Sequence, residues 1–295
     1  VEHGWLEQHA KKQAYKEAHV GREGFEDTKN AGESSPIPGF GRQNKRFLRL
    51  FCKKVHFMQK SYLCGLLALL IFAACKHQPL EMPDPAQNLP EKIDILALGD
   101  SYTKGEGVPG AQNFPAQLFD SLRAGGKDMQ GFRVIAQTGW RTDQLKNAIA
   151  GAADIQDSVF SLVTLCIGVN NQFQNASLDT YKTEFAELLQ TAVARAGGRK
   201  SRVLVLSIPD WAYTPFGQSY FTGPSAISEK IDIFNAANKA ITEAQGIAYV
   251  DVTTVSRQGV AQPDLVALDR LHPAAKQYTE WVKLMLPVVE RALKF

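Results

Sequence analysis

The sequence predicts an α/β fold: a three-layer α/β/α sandwich built on a five-stranded parallel sheet. Three observations predict it. Short apolar runs alternate with helix-length amphipathic segments from Ile93 to the C-terminus. The longest run, Val159–Ile167, has the continuous apolar character of a strand covered on both faces. No internal repeat competes with this βαβα rhythm, which calls for parallel strands with helices on either side.

The elements follow in order. Ile93–Leu98 is the first strand. Phe114, Leu118 and Leu122 recur at helical spacing and stop at Gly125-Gly126. Phe132–Ala136 is the second strand, and a helix over Thr142–Ala150 opens at a Thr cap. Val159–Ile167 is the third strand. A long helix over Leu178–Ala196 closes at Gly197-Gly198. Val203–Ile208 is the fourth strand, stopped by Pro209, and Ala226–Ala244 is helical. Ala248–Val252 is the fifth strand. Ala274–Leu293 is the last helix, expected to be interrupted at Pro287.

Composition bounds the function. The chain has 295 residues, is 44% hydrophobic and carries 33 basic against 30 acidic side chains, which suits a folded rather than a disordered chain. The charge is unevenly spread. Residues 1–57 hold 11 basic and 7 acidic residues, whereas 21 basic and 23 acidic residues lie from Cys75 onward. The folding segment is thus slightly acidic, which argues against a nucleic-acid partner.

The first 74 residues read as targeting rather than fold. Residues 1–57 have no sustained apolar period and are expected to be a disordered upstream extension without function. Met58-Gln59-Lys60, the apolar run Leu63–Ala73 and small residues before Cys75 then form an export signal over 58–74. The run falls short of the ~20 residues that span a bilayer. Small-small-Cys after such a core resembles a lipoprotein lipobox. That resemblance implies cleavage before Cys75, lipidation of its thiol, and membrane anchoring in the cell envelope. Residues 75–91, with four prolines after Cys75, read as a tether, and 92–295 as the working domain. Cys52 and Cys64 precede the cleavage point and Cys166 sits in a strand pattern, so neither a disulfide nor a CxxC metal site is called for.

Ligands of open parallel sheets sit beyond the carboxyl ends of the strands, so reactive residues are sought there. The first strand runs into Gly99-Asp100-Ser101, the second into Thr138-Gly139-Trp140, and the third into Gly168-Val169-Asn170. A serine needs a base to become a nucleophile. Histidine is the usual base near neutral pH. His3, His9, His19 and His56 lie in residues 1–57 and His77 in the tether, which leaves His272. It stands in Asp269-Arg270-Leu271-His272-Pro273, three residues after a carboxylate able to hold its far ring nitrogen. Read one at a time, each of these is also an ordinary turn or helix cap.

As an ordered set, Gly-Asp-Ser, Gly, Gly-x-Asn and Asp-x-x-His resemble the SGNH hydrolases, also called the GDSL esterases. The wider strings Gly99–Gly107, Gln137–Trp140, Ile167–Gln172 and Asp269–Pro273 resemble a Bacteroidetes-like lipoprotein branch of it. Tyr102 and Asn171 depart from the common pattern, where Leu and Asp are usual. The resemblance implies a flavodoxin-like sheet and a triad of Ser101, His272 and Asp269. It also implies an oxyanion hole from the Ser101 and Gly139 N–H groups and the Asn170 side chain, with no metal or cofactor. Small acyl esters are the implied substrates: short-chain or acetyl esters, carbohydrate-linked or not, lysophospholipids or thioesters. Trp140, Trp211 and Tyr213 are candidates to line a substrate cleft, with plain packing as the alternative for each. The competing functional class is a catalytically silent envelope domain that binds glycans or acyl chains.

Gly105-x-Gly107-x-x-Gly110 matches the dinucleotide fingerprint by letter only. Ser101 already fills the strand-to-helix turn, Pro109 interrupts the loop, and no acidic residue ends the second strand. No GxxxxGK[ST], HExxH or lipase-type GxSxG occurs.

Overall fold

The computed structural model describes residues 92–293. The proposed extension, export signal, Cys75 and tether lie outside the described residues. Five strands pair in parallel in the order β2-β1-β3-β4-β5: β1 Ile93–Gly99, β2 Met129–Ala136, β3 Leu162–Cys166, β4 Val203–Leu206 and β5 Ala248–Val250. The chain moves outward from β1 to one edge, returns to β3 beside it, and then moves outward to the other edge. That reversal between β1 and β3 is the switch point at which such sheets bind ligands.

Two helical layers cover the sheet. Helix α2 (Phe114–Ala124) packs on the last helix, α9 (Ala275–Ala292), with the rings of Phe114 and Trp281 6.1 Å apart. Opposite them, α3 (Thr142–Gly151), α5 (Leu178–Arg195) and α7 (Pro224–Ala244) pack in succession, with Tyr181 and Phe234 4.7 Å apart. Between the layers lie the side chains of β1, β3 and β4, buried along nearly their whole length as the apolar runs require.

Several sequence expectations change, and β4 and β5 each end two residues early, at Leu206 and Val250. Strand β3 begins at Leu162, because Val159 is half-exposed and the Phe160 N–H goes to the Arg195 carbonyl, outside the sheet. Strand β2 begins three residues early, at Met129, because its backbone pairs there with Ile93 of β1 while the Gln130-Gly131 stretch carries no apolar run to mark it. Thr142 is not the cap of α3 but its first residue; the cap is Arg141, whose N–H donates to Gln144 Oε1 at 3.0 Å. Helix α9 runs unbroken through Pro287. The lost backbone bond is offset by burial of Trp281, Met285 and Val289 along its packing face.

Candidate active site

Register builds the site. Gly99 of β1 pairs with Ala136 of β2 and Cys166 of β3, so three strands end at one level. The residues that follow them, Ser101, Gly139 and Asn170, leave the sheet along one rim. Gly99 must be glycine, because a Cβ there would stand 2.1 Å from Thr103 Oγ1 and 2.4 Å from the Cys166 carbonyl oxygen. This tight fit lets the chain turn directly into α1 (Ser101–Lys104).

Ser101 is the first residue of α1, where a backbone N–H has no partner inside the helix. Asp100 caps this helix, its Oδ1 accepting the Tyr102 N–H at 3.0 Å. The same carboxyl accepts the Gly168 N–H, so it braces the β1 turn against the β3 turn. Burial pushes this carboxyl up to about 7, against those two N–H bonds and that of its own backbone.

The second and third rim segments are knitted together. Gly139 adopts φ 86°, a left-handed conformation open to glycine, and its carbonyl accepts Gln174 Nε2 at 3.3 Å. Asn170 donates one amide proton to the Trp140 carbonyl at 2.9 Å, which leaves the second proton of its NH2 group for another acceptor. Asn171 Oδ1 accepts the Thr142 N–H at 3.1 Å, and its Nδ2 donates to Thr142 Oγ1 at 2.7 Å. The Thr142 hydroxyl spends its own proton on Glu184, so it needs a donor at position 171, which Asn supplies and an ionised Asp would not.

Asp269 and His272 do not follow a strand end as the other three segments do. They occupy a loop well beyond β5, between a 3₁₀ turn at Pro263–Leu265 and α9. Asp269 Oδ2 lies 2.7 Å from His272 Nδ1, and Oδ1 accepts the Leu271 and His272 N–H groups at 2.9 Å each. Burial pushes the Asp269 carboxyl up, but His272 and the two N–H donors prevail and hold it down at about 2. Arg270 takes φ 69°, and its carbonyl accepts the Phe216 N–H at 3.0 Å. The pair reaches the rim that carries Ser101. The His272 ring lies 5.8 Å from the ring of Tyr102, the next residue after Ser101. A Cβ on Gly107, just beyond α1, would lie 2.8 Å from Asp269 Oδ2.

The other candidates fall around this core. Trp140 is half-buried on the rim. Trp211 is 3% exposed, its indole N–H donating to Gln172 Oε1 at 2.9 Å and its ring enclosed by Phe173, Phe216 and Tyr220. It braces this aromatic cluster from within, while Tyr213 packs half-buried beside the core. Two residues not singled out from the sequence, Thr138 and Glu106, also belong here, and Asn171, noted there only as a departure, takes a bridging role. Their short-range neighbours gave no signal, because each acts across chain distances of about thirty residues.

Residues 97–279 match the model of the GDSL-like lipase/acylhydrolase family. The chain belongs to that family. It is therefore an enzyme of the SGNH esterase type, hydrolysing esters in the general sense. The fold is shared with TesA (18% identity, TM-score 0.53, covering 68% of this chain and 99% of that one). It is shared also with a lipase/acylhydrolase from Enterococcus faecalis (17%, 0.53, 68% and 97%). A third such structure is Axe2, an acetylxylan esterase from Geobacillus stearothermophilus (18%, 0.51, 67% and 94%). No curated protein matches.

Proposed function

We propose that this GDSL-family chain cleaves small acyl esters through Ser101, His272 and Asp269. The observation that carries the reading is the 2.7 Å contact between His272 Nδ1 and Asp269 Oδ2, on a loop set against the helix of Ser101. That contact commits Nδ1 as the donor and leaves Nε2 as the basic nitrogen.

Nε2 takes the Ser101 hydroxyl proton while Oγ bonds to the carbonyl carbon. The carbonyl oxygen becomes an oxyanion, met by the Ser101 N–H, the Gly139 N–H and the second amide proton of Asn170. As the carbon–oxygen bond to the alcohol breaks, Nε2–H protonates the leaving oxygen. Water then repeats the sequence on the acyl-serine, releasing the acid and restoring the hydroxyl. Each oxyanion donor is worth on the order of 10²–10³ in rate.

Short-chain and acetyl esters, including carbohydrate-linked ones, are the substrates we favour, since one structurally similar enzyme is an acetylxylan esterase. Lysophospholipids and thioesters complete the screen. The chain should hydrolyse a chromogenic acetyl or butyryl ester, and Ser101→Ala should abolish turnover. Hydrolysis surviving that change would remove Ser101 as nucleophile. Binding of acylated glycans without cleavage by the unaltered chain would favour the silent-binder reading instead. We further propose export and anchoring through a lipid on Cys75, in a cell envelope. Cys75→Ser should then move the protein from the membrane to the soluble fraction, and retention in the membrane would rule the anchor out.

A further inference from the structure

Glu106 lies two residues beyond α1 and joins that helix to the Gly139 turn. Its backbone N–H donates to the Ser101 carbonyl at 3.0 Å. Its carboxylate accepts the Thr138 hydroxyl, one residue before Gly139, and pairs with Lys104 Nζ at 2.8 Å. Lys104 Nζ also reaches Thr138 Oγ1 at 3.4 Å. Its neighbour Gly107 backs onto Asp269. The side chain is 18% exposed, so this carboxylate is turned inward along the rim rather than into solvent.

Burial pushes the Glu106 carboxyl up, but Lys104, Thr138 and the charge of His272 outweigh it and hold the group below its ordinary value. His272 is thus in contact with one carboxylate, Asp269, and feels the charge of a second, Glu106, from the segment after α1. Lys104 partly neutralises the second. Tyr102, whose ring abuts His272 from α1, is kept neutral by burial, which pushes its hydroxyl well above the ordinary range.

We propose, resting on the Ser101–His272 reading above, that Glu106 is a positioning residue. Its carboxylate ties the Gly139 turn to the helix of the nucleophile and presents a second negative charge to His272. When the imidazole takes the serine proton, the Glu106 charge adds to that of Asp269 in favouring the imidazolium. Because Thr138 is held by the same carboxylate, the Gly139 N–H stays aimed at the developing oxyanion.

The test reads His272 directly and does not depend on turnover. In the full chain, the His272 ring signal is assigned by its loss in His272→Asn and followed through a pH titration by NMR. Glu106→Gln keeps an acceptor for Thr138 but removes the charge. It should lower the His272 midpoint by roughly half a pH unit, the shift a nearby charge gives in partly solvated surroundings. Lys104→Met removes the neutralising cation and should raise the midpoint by a similar amount. The acid limb of kcat/KM should move with the midpoint in both variants. Thr138→Val should lower kcat by about tenfold, part of the value of one oxyanion donor, without moving the midpoint. Midpoints unchanged in both charge variants would overturn the proposal. Midpoints that move in a chain that cleaves no ester would overturn the esterase reading instead and leave the electrostatic contact standing.

Discussion

Replacing Asp269 by Asn separates the two jobs of this carboxylate. Oδ1 accepts the Leu271 and Leu271-adjacent His272 N–H groups at 2.9 Å each, and the Asn carbonyl can keep both bonds and the turn with them. Oδ2, 2.7 Å from His272 Nδ1, becomes an NH2 group. Two donors now face each other, so the imidazole protonates at Nε2 and loses its base. The expected fall in kcat at neutral pH is about 10³–10⁴, the size of a wrong-tautomer defect in a serine triad. Stability changes as well. A native carboxyl held at about 2 against an ordinary 3.8 contributes about 2 kcal/mol. The native value is depressed, so this contribution is full above pH ~4–5 and disappears as the pH falls through about 2. Urea unfolding of the two proteins should therefore differ at pH 7 and converge on acidification, alongside steady-state kinetics on a chromogenic ester. An Asn variant within tenfold of the parent kcat, or a stability gap that stays constant down to pH 2, would refute the reasoning.

Other predictions concern the turn that presents Ser101. Asp100 is pushed up to about 7 in the fold, so between pH ~4 and that value the native chain holds a proton that the unfolded chain has released. Stability should fall as pH rises across that window, by on the order of 4 kcal/mol. Asp100→Asn should lack that slope in urea melts at pH 5 and pH 8; an identical slope in both proteins would show that Asp100 is ionised when folded. Gly99→Ala drives a methyl group to 2.4 Å from the Cys166 carbonyl oxygen, a backbone atom that cannot swing aside. A loss of about 3 kcal/mol is expected, and a thermal midpoint within a degree or two of the parent would contradict the fit.

Much of the fold was legible because burial leaves a local trace. Apolar runs marked each strand, and Phe114, Leu118 and Leu122 marked the face of α2 that is buried in the structure. Periodicity failed where local pattern and final environment part company. Val159 continues an apolar run yet lies outside the sheet, and Pro287 sits within a helix that packing sustains. The site was legible as residue types. The scarcity of histidines pointed to His272, and the three-residue spacing brought Asp269 with it.

What the chain order settled by itself is the set of strands and the chemical groups at their ends, because side-chain periodicity and turn residues act over a few positions. Tertiary structure alone decided which distant segments meet. It set Asp269 and His272, on a loop beyond β5, against the helix of Ser101. It placed the Glu106 carboxylate on Thr138 and Lys104, and it closed the Asn171–Thr142 bridge. Those contacts depend on sheet order and register, which arise from burying both faces of β1, β3 and β4 at once, and no local stretch of sequence encodes them.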